Sequence, residues 1–209
     1  MKLGVLISGR GSNLQAIARA CASGAIPAEI ALVLSNRPGA PGLEWARQHG
    51  LSACALPSAG REREEYDREL VGKLRDAGVE LVCLAGYMRL LSGYFIAAFP
   101  NRILNIHPSL LPAFPGLDAQ QQALEYGVKF SGCTVHFVDD TLDGGAVILQ
   151  AVVPVLDSDD LATLSARILA EEHRLYPEAI GLVASRRVRL VGRRVGIEAG
   201  GAGENRIRE

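Results

Sequence analysis

The chain has 209 residues, of which 48% are hydrophobic, and its formal net charge is -1. This length and hydrophobic content suit a single domain with a full core. The near-zero charge argues against a general nucleic-acid binder, which would be basic. No apolar run approaches the roughly 20 residues of a membrane span, and the start does not resemble a secretory signal. We therefore expect a cytoplasmic protein with neither a membrane nor a nucleic-acid partner.

The first half of the chain alternates short apolar runs with longer amphipathic stretches. The runs predict strands at residues 3–7, 30–34, 53–56, 81–85 and 103–106, and the stretches predict helices at residues 13–21, 43–48, 61–77 and 94–99. Such alternation is typical of βαβ units, whose strands form a parallel sheet with right-handed crossovers. We predict an α/β fold with an open, twisted, mostly parallel sheet flanked by helices.

The second half departs from this alternation. A helix is predicted at residues 119–126, and strands at 129–138 and 146–155 are expected to form an antiparallel hairpin around the turn at 139–145. A long helix should follow and run to about residue 184, capped by Asp159 or Asp160.

Three expectations concern the end of the chain. Pro177 is expected to kink or break the long helix, and a last short strand is predicted at residues 188–191. We assign residues 1–197 to one domain. The Gly-rich, polar residues 198–209 are expected to form a disordered tail.

The loop after the first strand, residues 8–13, reads Ser-Gly-Arg-Gly-Ser-Asn and leads directly into a helix. Glycines permit a tight turn, and free amides at a helix start favour an anion. Ser12 or Asn13 can cap the helix. The loop matches neither the dinucleotide motif nor a Walker loop, and no acid follows the second strand to hold a ribose. A site for one phosphate and an ordinary capped glycine turn are equally open.

Asn105 and His107 lie two residues apart at the end of an apolar run, where strand geometry projects both side chains to one face. Pro108 cannot donate to a sheet and disfavours helical geometry for His107, so the strand should end there. A donor beside a titratable base suits acyl transfer, because the donor can hold an oxyanion while the base moves a proton. Asp143 alone would be a turn residue, but with this pair it becomes a third catalytic candidate.

The remaining polar residues have more ordinary interpretations. His49 is expected at the surface, His136 either supports the site or is structural, and His173 is open between packing and site support. Residues 186–194 are rich in arginine and are interpreted as a solvated face. The four cysteines are scattered, without a C-x-x-C pair, and are expected to be idle, reduced thiols. No metal site is expected, since clustered ligands are lacking.

Several segments resemble the phosphoribosylglycinamide formyltransferases, which are 10-formyltetrahydrofolate-dependent enzymes. The resembling segments are residues 9–17, 63–67, 84–91, 105–112, 136–138, 142–150 and 172–173. The resemblance covers roughly residues 3–180, and its most specific part is the first loop. The set of Asn105, His107 and Asp143 is shared across the wider formyltransferases. The resemblance implies a Rossmann-like formyltransferase fold.

The resemblance also implies an activity, namely transfer of a formyl group from the co-substrate 10-formyltetrahydrofolate to the amine of glycinamide ribonucleotide in purine biosynthesis. The reaction passes through a tetrahedral intermediate without a metal. Asn105 would donate to the oxyanion, His107 would stabilise that charge and assist proton transfer, and Asp143 would orient or charge His107. The residues implied to bind the ribonucleotide are Gly11, Ser12, Asn13 and Glu172. Those implied to contact the folate are Arg63, Met88, Arg89, Leu90, Leu91, Asn105, Val138, Asp139 and Asp140.

Other functions within and outside this family stay open. The methionyl-tRNA enzyme carries an added RNA-binding domain and the formyltetrahydrofolate deformylase an added regulatory domain. From the length of the chain we expect neither, and so expect glycinamide ribonucleotide as acceptor. A protein that binds folate or a phosphoribosyl ligand without turnover is the alternative from another class. A homodimer is also open.

Overall fold

The computed structural model describes residues 1–198. The elements of this range, in chain order, are β1 (Lys2–Ile7), α1 (Ser12–Ala22), β2 (Glu29–Ser35), α2 (Pro41–Gln48), β3 (Ala53–Ala55), α3 (Arg63–Asp76), β4 (Leu81–Leu84), α4 (Gly93–Ala98), β5 (Ile103–His107), α5 (Ala119–Tyr126), β6 (Phe130–Phe137), β7 (Val147–Pro154), α6 (Leu161–Ala184), β8 (Val188–Val191) and β9 (Arg194–Ile197). The tail expected at 198–209 lies outside the described residues, except for Glu198. The backbone N–H of Glu198 donates to the Arg187 carbonyl at 2.9 Å.

Seven strands form one sheet in the order β3-β2-β1-β4-β5-β6-β7. The strands from β1 to β5 pair in parallel, whereas β6 runs antiparallel to β5, and β7 runs antiparallel to β6. The predicted mostly parallel sheet with an antiparallel hairpin is thus confirmed. The chain builds outward from β1 to β3 and then returns to β4 on the other side of β1. In open α/β sheets, ligands bind in the crevice beside the carboxyl ends of the strands, at the point where the strand order reverses.

Both faces of the parallel part of the sheet are buried, which explains why strands such as β1 and β4 are continuous apolar runs. Along β1, Leu3, Val5 and Ile7 pack into one core cluster, which includes residues of α1, α2 and α6. Leu6 points to the opposite face and packs into a second cluster, with residues of α3. Because successive residues of a strand point to opposite faces, this one apolar run contributes side chains to both core clusters.

Two predictions about helices need correction. Neither Ser12 nor Asn13 caps α1, because Gly11 is the N-cap residue, with φ 74° and no side-chain cap bond. Pro177 does not break α6, which continues from Leu161 to Ala184. The proline is buried on the inner side of this helix, so packing against the core outweighs the local cost of the lost hydrogen bond. As predicted, Asp160 caps α6, through a capping box with Thr163.

The arginine-rich end of the described chain is a β-hairpin. The predicted strand β8 is confirmed, and it pairs antiparallel with β9, which was not predicted. The arginines at 186, 189, 193 and 194 are exposed, as expected for a solvated face. At the tip of the hairpin, the Arg193 guanidinium donates to the Gly144 carbonyl at 2.6 Å. No helix of the described range is both long enough and apolar enough to cross a membrane.

Candidate active site

Strand β5 presents Asn105 and His107 on one face, as predicted. The alternate residues Leu104 and Ile106 point to the other face and pack into the core cluster there. The strand ends at His107, directly before Pro108. The His107 side chain is only 6% exposed, so its charge would be screened little by water.

His136 orients the amide of Asn105. The two residues are direct partners across the antiparallel pair β5–β6, and the amide nitrogen of Asn105 lies 3.2 Å from His136 Nε2. His136 Nδ1 lies 2.8 Å from the Phe137 carbonyl oxygen, which can only accept. Nδ1 therefore carries the hydrogen, and Nε2 accepts from Asn105. Burial lowers the pKa of His136, which keeps the ring neutral and suited to this acceptor role.

The carboxylate of Asp143 lies between the two histidines. Its Oδ2 is 3.4 Å from His107 Nδ1, and its Oδ1 is 3.9 Å from His136 Nε2. The backbone N–H of Gly116 donates to Oδ2 at 2.8 Å and holds the carboxylate in place. The structure thus brings together the three residues predicted to be catalytic, Asn105, His107 and Asp143.

The turn that places Asp143 beside His107 depends on unusual backbone geometry. Asp143 has φ 49°, in the left-handed region that Asp and Asn tolerate better than other side chains. At Gly145, a Cβ atom would overlap the carbonyl oxygen of Phe137. Only glycine therefore lets the turn fold back closely onto the end of β6.

The loop after β5 completes the surroundings of His107. The Phe114 carbonyl oxygen lies 2.8 Å from His107 Nε2, and because a carbonyl can only accept, Nε2 carries a hydrogen. Nδ1 then faces the carboxylate of Asp143, at 3.4 Å from Oδ2. Sequence reasoning missed Phe114 and Gly116, because both act through backbone atoms and so have no residue-type signal.

The first loop is built by a close approach of two backbones. Gly11 has φ 74°, and the Gly42 N–H donates to the Gly9 carbonyl at 3.0 Å. A Cβ on Gly42 would come within 2.6 Å of Ile7 Cδ1 and 3.0 Å of the Gly9 oxygen. The start of α2 thus packs directly against the loop and fixes its shape.

Two of the residues implied to bind a ribonucleotide contact each other. The amide nitrogen of Asn13 donates to Glu172 Oε2 at 2.7 Å, and both side chains are buried. Burial raises the pKa of Glu172, while the bond from Asn13 opposes this. Within residues 1–198, the Asn13 side-chain oxygen has no hydrogen-bond partner. The amides of Gly11 and Ser12 precede Asn13 directly, so the four predicted residues form one group.

Apart from Asn105 on β5, the residues implied to contact folate fall in three segments. Met88–Leu91 follows β4, and 138–140 follows β6; since β4 and β6 both neighbour β5, these segments flank the strand that carries Asn105. Met88 and Leu90 are exposed, at 58% and 55%. The Arg89 guanidinium donates to the carbonyls of Ser58 and Arg61. Arg63 lies on the exposed first turn of α3.

Chemically, the site holds an amide donor beside an imidazole and a carboxylate that are both largely buried. An amide N–H can stabilise a developing oxyanion, and the imidazole and carboxylate can hold a proton in transit. No group of three or more His, Cys, Asp or Glu side chains in residues 1–198 is arranged to bind a metal ion.

Comparisons with known proteins identify similar sequences and a similar fold. Residues 1–180 match the family described as formyl transferase. The phosphoribosylglycinamide formyltransferase of Escherichia coli strain K12 is 48% identical over 191 residues, covering 91% of this chain and 90% of that protein. The crystal structure of glycinamide ribonucleotide transformylase 1 from Symbiobacterium toebii superposes with a TM-score of 0.94 at 57% identity, covering 95% of this chain and 94% of that one.

A multidomain relative is similar to this chain in only part of its length. The trifunctional purine biosynthetic protein adenosine-3 of Drosophila pseudoobscura pseudoobscura is 50% identical over 193 residues, which are 91% of this chain but 14% of that relative. The resemblance in the sequence motifs is confirmed by these matches. The chain belongs to the formyl transferase family.

Proposed function

We propose that the protein transfers a formyl group from 10-formyltetrahydrofolate to the amine of glycinamide ribonucleotide, a step of purine biosynthesis. The observation that carries this proposal is the convergence of Asn105, His107 and Asp143 at one buried site. The names of the similar Escherichia coli and Symbiobacterium toebii proteins support the choice of substrates.

The reaction is an acyl transfer. The lone pair of the substrate amine attacks the formyl carbon, a C–N bond forms, and the carbonyl electrons move to oxygen to give a tetrahedral oxyanion. When the intermediate collapses, the bond from the formyl carbon to folate N10 breaks, and N10 keeps the electron pair. The amine loses one proton and N10 gains one, so the net reaction moves one proton between the two nitrogens.

Asn105 serves as the oxyanion donor. One N–H of its amide is donated to neutral His136, which fixes the amide with its nitrogen toward the site. The second N–H of the same nitrogen is the one that reaches the oxyanion. Donors held in place before the reaction stabilise such a charge without reorganisation.

His107 and Asp143 supply charge and carry the proton. The carboxylate of Asp143 lies 3.4 Å from Nδ1, where it can stabilise positive charge that the His107 ring takes up during proton transfer. That charge in turn stabilises the nearby oxyanion. Nε2–H is donated to the Phe114 carbonyl. A direct hydrogen bond from Nε2 to a substrate would therefore require the bond to Phe114 to break. Proton transfer at Nδ1, on the side of Asp143, leaves the bond to Phe114 intact.

The two substrates bind at different loops of the sheet. The ribonucleotide phosphate binds to the amides of Gly11, Ser12 and Asn13, at the start of α1, and Glu172 accepts hydrogen bonds from the ribose hydroxyls. The folate binds along Met88–Leu91 and residues 138–140, and Arg63 meets its carboxylate end. We propose the cytoplasm as the compartment, because all four cysteines are unpaired and reducing compartments keep thiols free.

The acceptor is tested by following tetrahydrofolate release from 10-formyltetrahydrofolate. Purified protein is given glycinamide ribonucleotide, methionyl-tRNA or water alone as the acceptor. We expect release with the ribonucleotide and only background release otherwise. Comparable turnover with methionyl-tRNA, or equal release in water, would overturn the proposed acceptor. No release with any of the three would indicate a binding protein.

Inorganic phosphate should compete with glycinamide ribonucleotide and not with 10-formyltetrahydrofolate. The reason is that the amides at the start of α1 recognise the phosphate group itself. Initial rates are measured with each substrate varied in turn, and chloride at equal ionic strength is the control. Competition against the folate instead would show that the loop has been assigned to the wrong substrate.

A further inference from the structure

Three buried polar side chains and one backbone amide form a row across the sheet, at the ends of four neighbouring strands. In sheet order, Ser58 follows β3, Asn36 follows β2, Ser8 follows β1, and Met88 follows β4. The side chains of Ser8, Asn36 and Ser58 are all buried. Ser8 directly precedes the glycine loop at 9–13, and Met88 opens the segment Met88–Leu91, which is proposed to contact folate. The row therefore connects the two substrate segments.

Hydrogen bonds join these residues into a continuous chain. The Met88 backbone N–H donates to Ser8 Oγ at 2.8 Å, and the Ser8 hydroxyl donates to Asn36 Oδ1 at 2.6 Å. The Asn36 amide nitrogen donates to Ser58 Oγ at 3.2 Å. The Arg89 guanidinium then donates to the Ser58 carbonyl at 3.3 Å. This series of hydrogen bonds both begins and ends in the segment Met88–Leu91.

The far end of the same segment has its own buried anchor. The backbone N–H of Ser92 donates to Asp67 Oδ2 at 2.6 Å, and Asp67 is fully buried. Between the two anchors, Met88 and Leu90 point their apolar side chains outward. Exposed apolar side chains on a backbone fixed at both ends form a preorganised binding surface, which loses little entropy when a ligand binds.

We infer that Ser8 is a positioning residue that sets the folate-binding segment in register with the phosphate loop. This inference rests on the proposed function, since it assigns Met88–Leu91 to the folate. The single hydroxyl of Ser8 makes two of these hydrogen bonds. An alanine at this position would leave the Met88 N–H and Asn36 Oδ1 buried without a hydrogen-bond partner. Because unpaired buried polar groups are costly, we expect the segment Met88–Leu91 to move.

Ser8→Ala is tested first without any turnover, by amide hydrogen exchange. We expect exchange of the Met88 amide in the variant to be about tenfold faster, while the Ser92 amide, held by Asp67, keeps its rate. In the assay, we expect KM for 10-formyltetrahydrofolate to rise about tenfold. KM for the ribonucleotide and kcat should change much less, because Asn105, His107 and Asp143 are untouched.

Ser131→Ala is the matched control. Ser131 is also a buried serine, but its hydroxyl has no hydrogen-bond partner within residues 1–198. We expect this variant to match the unmodified protein in both measurements. Ser58→Ala, which removes only the far bond of the chain, should shift the same two quantities in the same direction by less. It replaces Ser8→Ala if that variant does not fold.

The outcomes separate the inference from the proposed function. An unmodified protein that does not release tetrahydrofolate would overturn the proposed function, whatever the exchange rates. An active protein whose Ser8→Ala variant keeps its Met88 exchange rate and its folate KM would overturn the inference alone. An equal rise of KM for both substrates would also overturn it, because Ser8 would then act on the phosphate loop.

Discussion

Asp143→Asn is expected to lower kcat by roughly 10²- to 10⁴-fold, the range typical of groups that act in proton transfer. The change removes the negative charge 3.4 Å from His107 Nδ1, so the imidazolium loses its nearby counter-charge. Asparagine tolerates the left-handed conformation found at Asp143. Its side-chain oxygen can still accept from Gly116. The loss of rate would therefore reflect charge rather than a collapsed turn.

The measurement pairs steady-state kinetics with NMR of the histidine rings at fixed pH. We expect the His107 ring resonances to shift in Asp143→Asn, because a neutral amide replaces the carboxylate beside Nδ1. Asp118→Asn is a matched control, because Asp118 is exposed and also has a left-handed backbone, with φ 56°. If Asp143→Asn kept a near-normal kcat and unchanged NMR signals of the His107 ring, Asp143 would be only a turn residue.

Asn105→Ala is expected to lower kcat by roughly 10²- to 10³-fold, which is the usual cost of one oxyanion donor. Binding should suffer less, because the N–H acts mainly on charge that develops after attack. The variant also frees His136 Nε2 from its only donor seen in the structure, so circular dichroism and thermal unfolding should accompany the kinetics. A rise in KM with unchanged kcat would mean that Asn105 merely positions a substrate.

The same geometry suits His136 to holding the Asn105 amide in place rather than to moving a proton. Burial lowers the pKa of its ring, and its Nδ1 and Nε2 are already engaged with the Phe137 carbonyl oxygen and the Asn105 amide nitrogen. The sequence left its role open between support and structure, because a histidine on an alternating strand gives no sign of its partner. The β5–β6 register, which pairs it with Asn105, depends on residues far apart in the chain.

Several features follow from local sequence alone. Buried strands read as apolar runs because both faces of the sheet are covered, so β1, β4 and β5 could be located directly. The two-residue period and Pro108 were enough to predict that Asn105 and His107 project together from the end of β5. The motifs of the first loop and of β5 were also specific enough to predict the family.

Tertiary structure decided the features that depend on distant residues. Asn13 does not cap α1, because Gly11 occupies the N-cap position. Its amide nitrogen instead reaches Glu172, which lies 159 residues further along the chain. Pro177 stays inside α6 because core packing outweighs a local preference. Asp143 meets His107 only through the turn after β6, and Ser8 meets Asn36 and Met88 only through the strand order. Propensity and spacing act over a few residues, whereas these contacts require the whole sheet to assemble first.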